Sequence, residues 1–97
     1  MEKVALLAWL VAKPGKEQEL ADFLKSALPL ALAETGTVRW YAWQIDQSVF
    51  GIFDTFEAEE GREAHLNGEI AAALMANADR LLAKPPIIEK LTILAAK

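Results

Sequence analysis

The sequence contains no cysteine and only one histidine, His65. Without cysteine the chain can form neither disulfides nor thiolate sites. One histidine cannot supply the usual multi-histidine metal site unless several carboxylates converge on the same ion. We therefore expect no metal and no disulfide framework.

The sequence also lacks a basic cluster and a long apolar run. The net charge is -4, and no stripe of Lys and Arg could follow a phosphate backbone, so no nucleic-acid partner is expected. The apolar run Val4–Ala12 is too short to span a bilayer. Glu2 before it and Lys13-Pro14-Gly15 after it do not fit a signal peptide. The chain is therefore predicted to be cytoplasmic, with no membrane partner.

Apolar residues, in contrast, are abundant. They make up 54% of the chain, above the roughly 45 to 50% that is usual for soluble domains. A length of 97 residues suits one hydrophobic core, so residues 1–97 are predicted to form a single domain. Apolar surface left over after this core is filled predicts a partner.

The apolar pattern changes period along the first half of the chain. Val4–Ala12 is apolar at every position and is typical of a strand buried on both faces. An amphipathic helix is predicted from Lys16 to Leu28, where Pro29 ends or kinks it. A short helical piece over Leu30–Glu34 is expected to follow, with Gly36 as its C-terminal cap.

The second half begins with a predicted antiparallel hairpin, Thr37–Asp46 and Ser48–Phe56. An acidic first turn then opens a short helix through Leu66, and an alanine-rich helix is predicted from Ile70 to Leu81. Ile87–Ala95 is predicted to be the last strand.

The resulting order, β, α, β, β, α, β, is that of the α+β ferredoxin-like split βαβ arrangement. It predicts a four-stranded antiparallel sheet with helices on one face. The open face would carry Tyr41 and Trp43, so two sheets are expected to pack face to face in a homodimer that forms a dimeric α/β barrel. Arg39, on the same face, would need an acidic partner across that interface or access to solvent.

The stretch from Phe50 to Asn67 holds the candidate catalytic residues Asp54 and His65. Asp54 shares a strand face with apolar residues, where burial would raise its pKa and make it a base or a partner of His65. It could instead accept amide hydrogen bonds at the start of the next helix. His65 could act as a general base, could cap exposed carbonyls at the end of its helix, or could simply fill a packing position.

Four further residues are candidates for substrate binding: Trp40, Ile52, Phe56 and Asn77. Trp40 and Phe56 could stack on an aromatic substrate or simply fill the core. Asn77, on the apolar side of the last helix, could donate to an oxyanion or satisfy a backbone carbonyl.

Four segments carry a resemblance to a known family. They are Ala12-Lys13-Pro14-Gly15-Lys16-Glu17, Phe50-Gly51-Ile52-Phe53-Asp54-Thr55-Phe56-Glu57, Ala64-His65-Leu66 and Pro86-Ile87-Ile88. In these the chain resembles the antibiotic biosynthesis monooxygenase family of the dimeric α/β-barrel superfamily. The resemblance implies an oxygenase that needs no metal, flavin or haem, acting on a phenol, quinol or anthrone-like molecule whose anion reduces molecular oxygen.

The chain departs from the residue patterns of two groups within the superfamily. Polyketide-tailoring members carry asparagine where Ile52 stands and tryptophan where Phe56 stands. The haem-degrading members have an asparagine on the first strand and a tryptophan near His65, and neither is present. Haem degradation is therefore not expected. The alternative to a monooxygenase is a non-catalytic dimeric protein that binds a small apolar molecule or is associated with stress.

Overall fold

The structure, a computed structural model, describes all residues from 1 to 97. The strands are β1 (Val4–Val11), β2 (Thr37–Gln44), β3 (Val49–Phe56) and β4 (Ile87–Thr92). The helices are α1 (Glu17–Ser26), α2 (Leu28–Ala33), α3 (Glu59–Leu66) and α4 (Glu69–Leu81).

The four strands form one sheet in the order β2-β3-β1-β4, and every neighbouring pair is antiparallel. This order, with both helical segments as crossovers, is the ferredoxin-like arrangement predicted from the sequence. The register places Ile52 opposite Ala8 on β1 and Ala42 on β2. The α+β fold class is thus confirmed.

The predicted break between the first two helices is present, but Pro29 does not precede the second helix. It lies in the first turn of α2. There a backbone N–H has no acceptor within the helix, so its loss costs nothing, and the fixed φ of proline suits the helical backbone.

The prediction that Gly36 caps α2 is wrong. The cap position is Glu34, with extended backbone, and Gly15 alone has a positive φ. Gly36 is required for another reason, because a Cβ there would lie 3.0 Å from the Cα of Gly61 on α3. Two glycines therefore allow the α2–β2 loop to cross α3 in close contact.

The last strand is shorter than predicted. β4 ends at Thr92 rather than at Ala95, since its partner strand β1 begins at Val4, which pairs with Thr92. One further backbone hydrogen bond, from the N–H of Ile93 to the carbonyl of Lys3 at 2.9 Å, follows the end of the strand.

The core lies between the sheet and the helices. Buried side chains alternate along the strands, as in Leu10 on β1 and Phe50 and Ile52 on β3, and meet Leu20 of α1 and Leu74 of α4. Alternation places the next residue of each strand on the opposite face.

That opposite face is open and aromatic. Trp9 and Trp43 meet edge to face with ring centroids 5.2 Å apart, and Tyr41 stacks on Phe53 at 6.5 Å. Gly51, paired with both tryptophans, leaves room for this contact because a Cβ there would overlap the Trp43 ring.

Arg39 also lies on the open face and finds its acidic partner within the same chain. Its Nε atom is 3.0 Å from Oε1 of Glu2, which also accepts a hydrogen bond from Thr55. A partner across an interface is therefore not needed to neutralise this guanidinium.

No helix of the protein combines the length and the apolar character needed to cross a membrane. The cytoplasmic location stays a prediction.

Candidate active site around Asp54 and His65

Asp54 and His65 face each other between the sheet and α3. Asp54 points from β3 towards the helices and is 1% exposed, and His65, in the last turn of α3, is 7% exposed. Nε2 of the imidazole lies 2.9 Å from Oδ2 of Asp54. The structure therefore brings the two candidate catalytic residues together, whereas their catalytic roles stay predictions.

A third residue, Glu34, completes the cluster. Its Oε1 atom lies 2.7 Å from Nδ1 of His65 and accepts a hydrogen bond of 2.7 Å from the Thr37 hydroxyl. The imidazole thus lies between two carboxylates, one on each ring nitrogen. Sequence analysis missed Glu34, because it is 31 residues from His65 and no periodic pattern relates the two.

The two carboxylates determine the charge of His65. Burial alone would lower its pKa, but the hydrogen bonds and charges of Asp54 and Glu34 outweigh burial and raise the pKa to about 9. His65 is therefore an imidazolium at neutral pH. In that form it holds both protons and is not available as a general base.

Asp54 has the opposite character. Burial raises the pKa of its carboxyl group, and the hydrogen bond and charge of His65 offset this only in part. Oδ1 has no hydrogen-bond partner, and Oδ2, although close to Nε2, has no well-aligned one. A desolvated carboxylate with a free oxygen is a stronger base than an exposed one.

A small cavity adjoins this carboxylate. Its volume is about 40 Å³, and its lining is apolar apart from Asp54 and His65. Ile52, Leu74 and Ile88 are among the residues of its wall. A water molecule needs roughly 10 to 15 Å³ of such space, so the cavity has room for about three or four waters.

Of the other predicted substrate-binding residues, two lie close to the site without lining the cavity. Trp40 pairs with Asp54 across the β2–β3 ladder, packs against the helical core and has a buried Nε1 without a partner. Phe56 is fully buried, with its ring centroid 5.5 Å from that of His65.

Asn77 is not brought to this site. Its amide nitrogen donates to the carbonyl of Ala73 at 2.7 Å, and its amide oxygen accepts from Arg80. Both ends of the amide are therefore engaged along α4, which is the structural role that the sequence left open.

Two structural alternatives, Asp54 at the start of a helix and His65 as a cap of exposed carbonyls, do not describe what is seen. His65 does pack, as its other structural alternative expects, with its ring centroid 5.5 Å from that of Phe56. The N-cap position of α3 is Ala58, and no side chain caps that end. Both ring nitrogens of His65 face carboxylates rather than helix carbonyls. The imidazole separates the two carboxylates, so the three side chains do not converge on one point as metal ligands would, and no acidic or histidine cluster suited to a metal is found.

Comparisons with known proteins agree with this fold. A protein of unknown function from Nitrosomonas europaea shares 63% identity over 100% of this chain and 94% of its own, with a TM-score of 0.98. Two solved structures carry the name "putative antibiotic biosynthesis monooxygenase". One, also from Nitrosomonas europaea, is 14% identical over 95% of this chain and 99% of its own, with a TM-score of 0.85. The other, from Caulobacter crescentus, is 18% identical over 97% of this chain and 92% of its own, with a TM-score of 0.81.

No family model matches the chain, and no curated protein does. The first relative thus shows that the chain shares a family with a protein of unknown function, and the two distant structures show the fold alone. The chain belongs to one family with its Nitrosomonas relative and has the fold of the putative antibiotic biosynthesis monooxygenases, as the sequence resemblance predicts.

Proposed function

We propose that the protein is a cofactor-independent monooxygenase that oxidises a small aromatic, quinol or anthrone-like substrate with molecular oxygen. One observation carries this proposal. A buried carboxylate, Asp54, presents an unpartnered oxygen beside an apolar cavity, next to a positively charged imidazole. Such a site can take a proton from a weak acid and hold the resulting anion away from water.

The chemistry follows from this arrangement. Asp54 accepts a proton from a ring CH₂ or hydroxyl group, and the electron pair left behind makes the substrate an electron donor. For an anthrone, the carbanion carbon forms a C–O bond to molecular oxygen, and the outer oxygen then takes back the proton held by Asp54. Loss of water from this hydroperoxide, with the second hydrogen of the former CH₂ group, leaves a carbonyl group.

During this reaction His65 supplies a positive charge and does not act as the base. Its imidazolium lies against Asp54 and lowers the energy of an oxyanion in the same cavity. Ile52 supplies an apolar wall in place of the asparagine of polyketide-tailoring members.

An aromatic substrate needs more room than the cavity offers. Ile88 lines the cavity from β4, the edge strand, and is 46% exposed. Displacement of Ile88 therefore requires the least loss of packing, and we propose that substrate enters between β4 and the α3–α4 corner.

Oxygen uptake tests the activity. Purified protein is incubated with a panel of quinols and anthrones in an oxygen electrode, beside an anaerobic sample. Asp54→Asn is expected to abolish uptake, because an amide cannot accept the proton. Asp79→Asn, at an exposed position on α4, is the matched control and should retain activity. Uptake by the native protein no faster than by Asp54→Asn would overturn the proposal.

A second candidate is a non-catalytic protein that binds a small apolar molecule. The apolar Ile52 and Phe56, at positions where tailoring oxygenases have asparagine and tryptophan, favour it, as does the small volume of the cavity. It predicts ligand binding without turnover, with equal affinity in the native protein and in His65→Gln.

We further propose that two copies pack through the open sheet face. Tyr41 is 50% exposed, Ile45 63% and Ile87 47%, and half-buried Trp9 and Trp43 lie on the same face. A continuous aromatic surface of this kind favours a self-complementary interface.

A further inference from the structure

His65 separates two spaces. On its Nε2 side lies the apolar cavity with Asp54. On its Nδ1 side lies an outer cleft of about 350 Å³ between α2 and α3, lined by Glu34, Thr37, Gly61 and Glu69 among others. Glu34 is the only carboxylate in that cleft with a hydrogen bond to the imidazole.

We infer that Glu34 is a positioning residue of the site, which holds His65 as a doubly protonated imidazolium with its Nε2 atom next to the carboxylate of Asp54. This role rests on the proposed function for its catalytic meaning, but the charge state of His65 can be measured without any substrate.

The argument begins with the hydrogen bond. Nδ1 lies 2.7 Å from Oε1 of Glu34, a distance typical of a charge-assisted N–H to carboxylate bond. A carboxylate can only accept, so Nδ1 must carry a proton to make this bond. With Asp54 in the ionised form in which it acts as a base, Nε2 is either protonated or bare against a second carboxylate.

Charge decides between these two forms. A bare Nε2 facing the Asp54 carboxylate would place two lone pairs against each other in a buried site. A proton on both nitrogens instead gives one positive charge between two negative ones. Burial of the imidazole, with a side chain 8% exposed, strengthens both attractions because little water screens them.

Glu34 is itself fixed in place. Its Oε1 also accepts from the Thr37 hydroxyl, and the close crossing of Gly36 over Gly61 holds its loop against α3. The side chain retains 20% exposure, so it is in contact with solvent on the cleft side. The anionic partner of His65 therefore lies outside the cavity, where it does not compete with a substrate anion.

No other charged group has this contact. Glu69, at the start of α4, lines the same cleft without a hydrogen bond to His65. On α3 itself, Arg62 points to the backbone carbonyls of Ala5 and Leu91, and Glu63 pairs with Lys90. Glu34 and Asp54 alone thus account for the charge on the imidazole.

The test uses the single histidine, whose ring resonances need no assignment. The pKa of His65 is measured by ¹⁵N and ¹H NMR titration in the native protein, in Glu34→Gln and in Glu69→Gln. Glutamine keeps an acceptor oxygen but removes the charge, so Glu34→Gln should lower the pKa by about one unit or more. Glu69→Gln removes the same charge from the same cleft and should leave the pKa within about 0.3 units of the native value, since it has no contact.

An equal shift in both variants, or none in Glu34→Gln, would overturn the inference. If Glu34→Gln does not fold, the native protein still decides the matter, because ¹⁵N shifts of a neutral imidazole at pH 8 would contradict it. These outcomes do not depend on oxygen uptake. A protein that consumes no oxygen can still show the predicted titration of His65, and a protein that consumes oxygen can fail to show it.

Discussion

His65 links the charge of the site to the stability of the fold. Its pKa is 6.5 in its ordinary state and about 9 here, so the folded protein binds this proton more tightly than the unfolded chain does. The extra stability is fully present below pH 6.5 and is lost as the pH rises through 9. A shift of this size corresponds to about 3 kcal/mol.

We therefore predict that the free energy of unfolding falls by about 3 kcal/mol between pH 6.5 and pH 9.5. Urea titrations at a series of pH values measure it. The raised pKa of Asp54 adds a decrease in the same direction that begins near its ordinary pKa of 3.8, since the folded state also binds that proton more tightly. His65→Gln should flatten the dependence above pH 6.5, and an unchanged slope in that variant would show that another group titrates.

At the scale of single residues, the sequence indicated Asp54 and His65, which the structure places side by side, but not Glu34. The catalytic roles of Asp54 and His65 stay predictions. Asp54 was found because a carboxylate occurs where a period of two requires an apolar side chain. His65 was found because it is unique. Glu34 lies next to them only because of the path that the α2–β2 loop takes, and no local sequence pattern predicts that path.

At the scale of secondary-structure elements, the α2–β2 loop crosses α3 in close contact. This crossing brings Glu34 next to His65. A Cβ on Gly61 would lie 2.7 Å from the carbonyl oxygen of Gly36, so Gly61→Ala must push the loop away from the helix. We predict that this lowers the pKa of His65, because Glu34 moves with the loop, and reduces stability by about 1 to 3 kcal/mol.

Gly15→Ala provides the matched control for this variant. Gly15 has φ of 86°, a conformation that costs alanine about 1 kcal/mol or more, and it is remote from the cluster. Both variants should lose stability, measured by thermal unfolding, and only Gly61→Ala should change the NMR titration of His65. If His65 titrates in Gly61→Ala as it does in the native protein, the loop crossing does not control the charge of His65, and the prediction is wrong.

The strands and helices themselves were largely predictable. Their order and approximate bounds follow from changes in apolar period, and from turn residues such as Asp46, whose carboxylate accepts from the amides of Ser48 and Val49. The wrong prediction for Gly36 shows that apolar periodicity carries no information about contacts between distant elements. A glycine needed for close contact with a distant helix has the same local signature as one needed for a helix cap.

At the scale of the whole molecule, the open sheet face predicts association. Tyr41→Asp places a charge on that face, at the edge strand β2, and should convert a dimer of twice 10.6 kDa into a monomer, because an unpaired charge is costly in an apolar interface. Leu32→Asp is the control, since Leu32 is 77% exposed on α2, on the other side of the sheet.

Sedimentation velocity at micromolar concentration distinguishes these outcomes. The native protein and Leu32→Asp should sediment as dimers. A native protein that sediments as a monomer would show that the aromatic face serves another purpose.

Proton transfer to Asp54 is the step on which the proposed activity depends most directly, and it can be observed without oxidation. A naphthol, whose neutral and ionised forms absorb at different wavelengths, is titrated into the protein near pH 7 in the absence of oxygen. The native protein should bind it as the anion, and Asp54→Asn should bind it in the neutral form. A neutral bound naphthol in the native protein, or the anion in both, would contradict the role of Asp54 as the base.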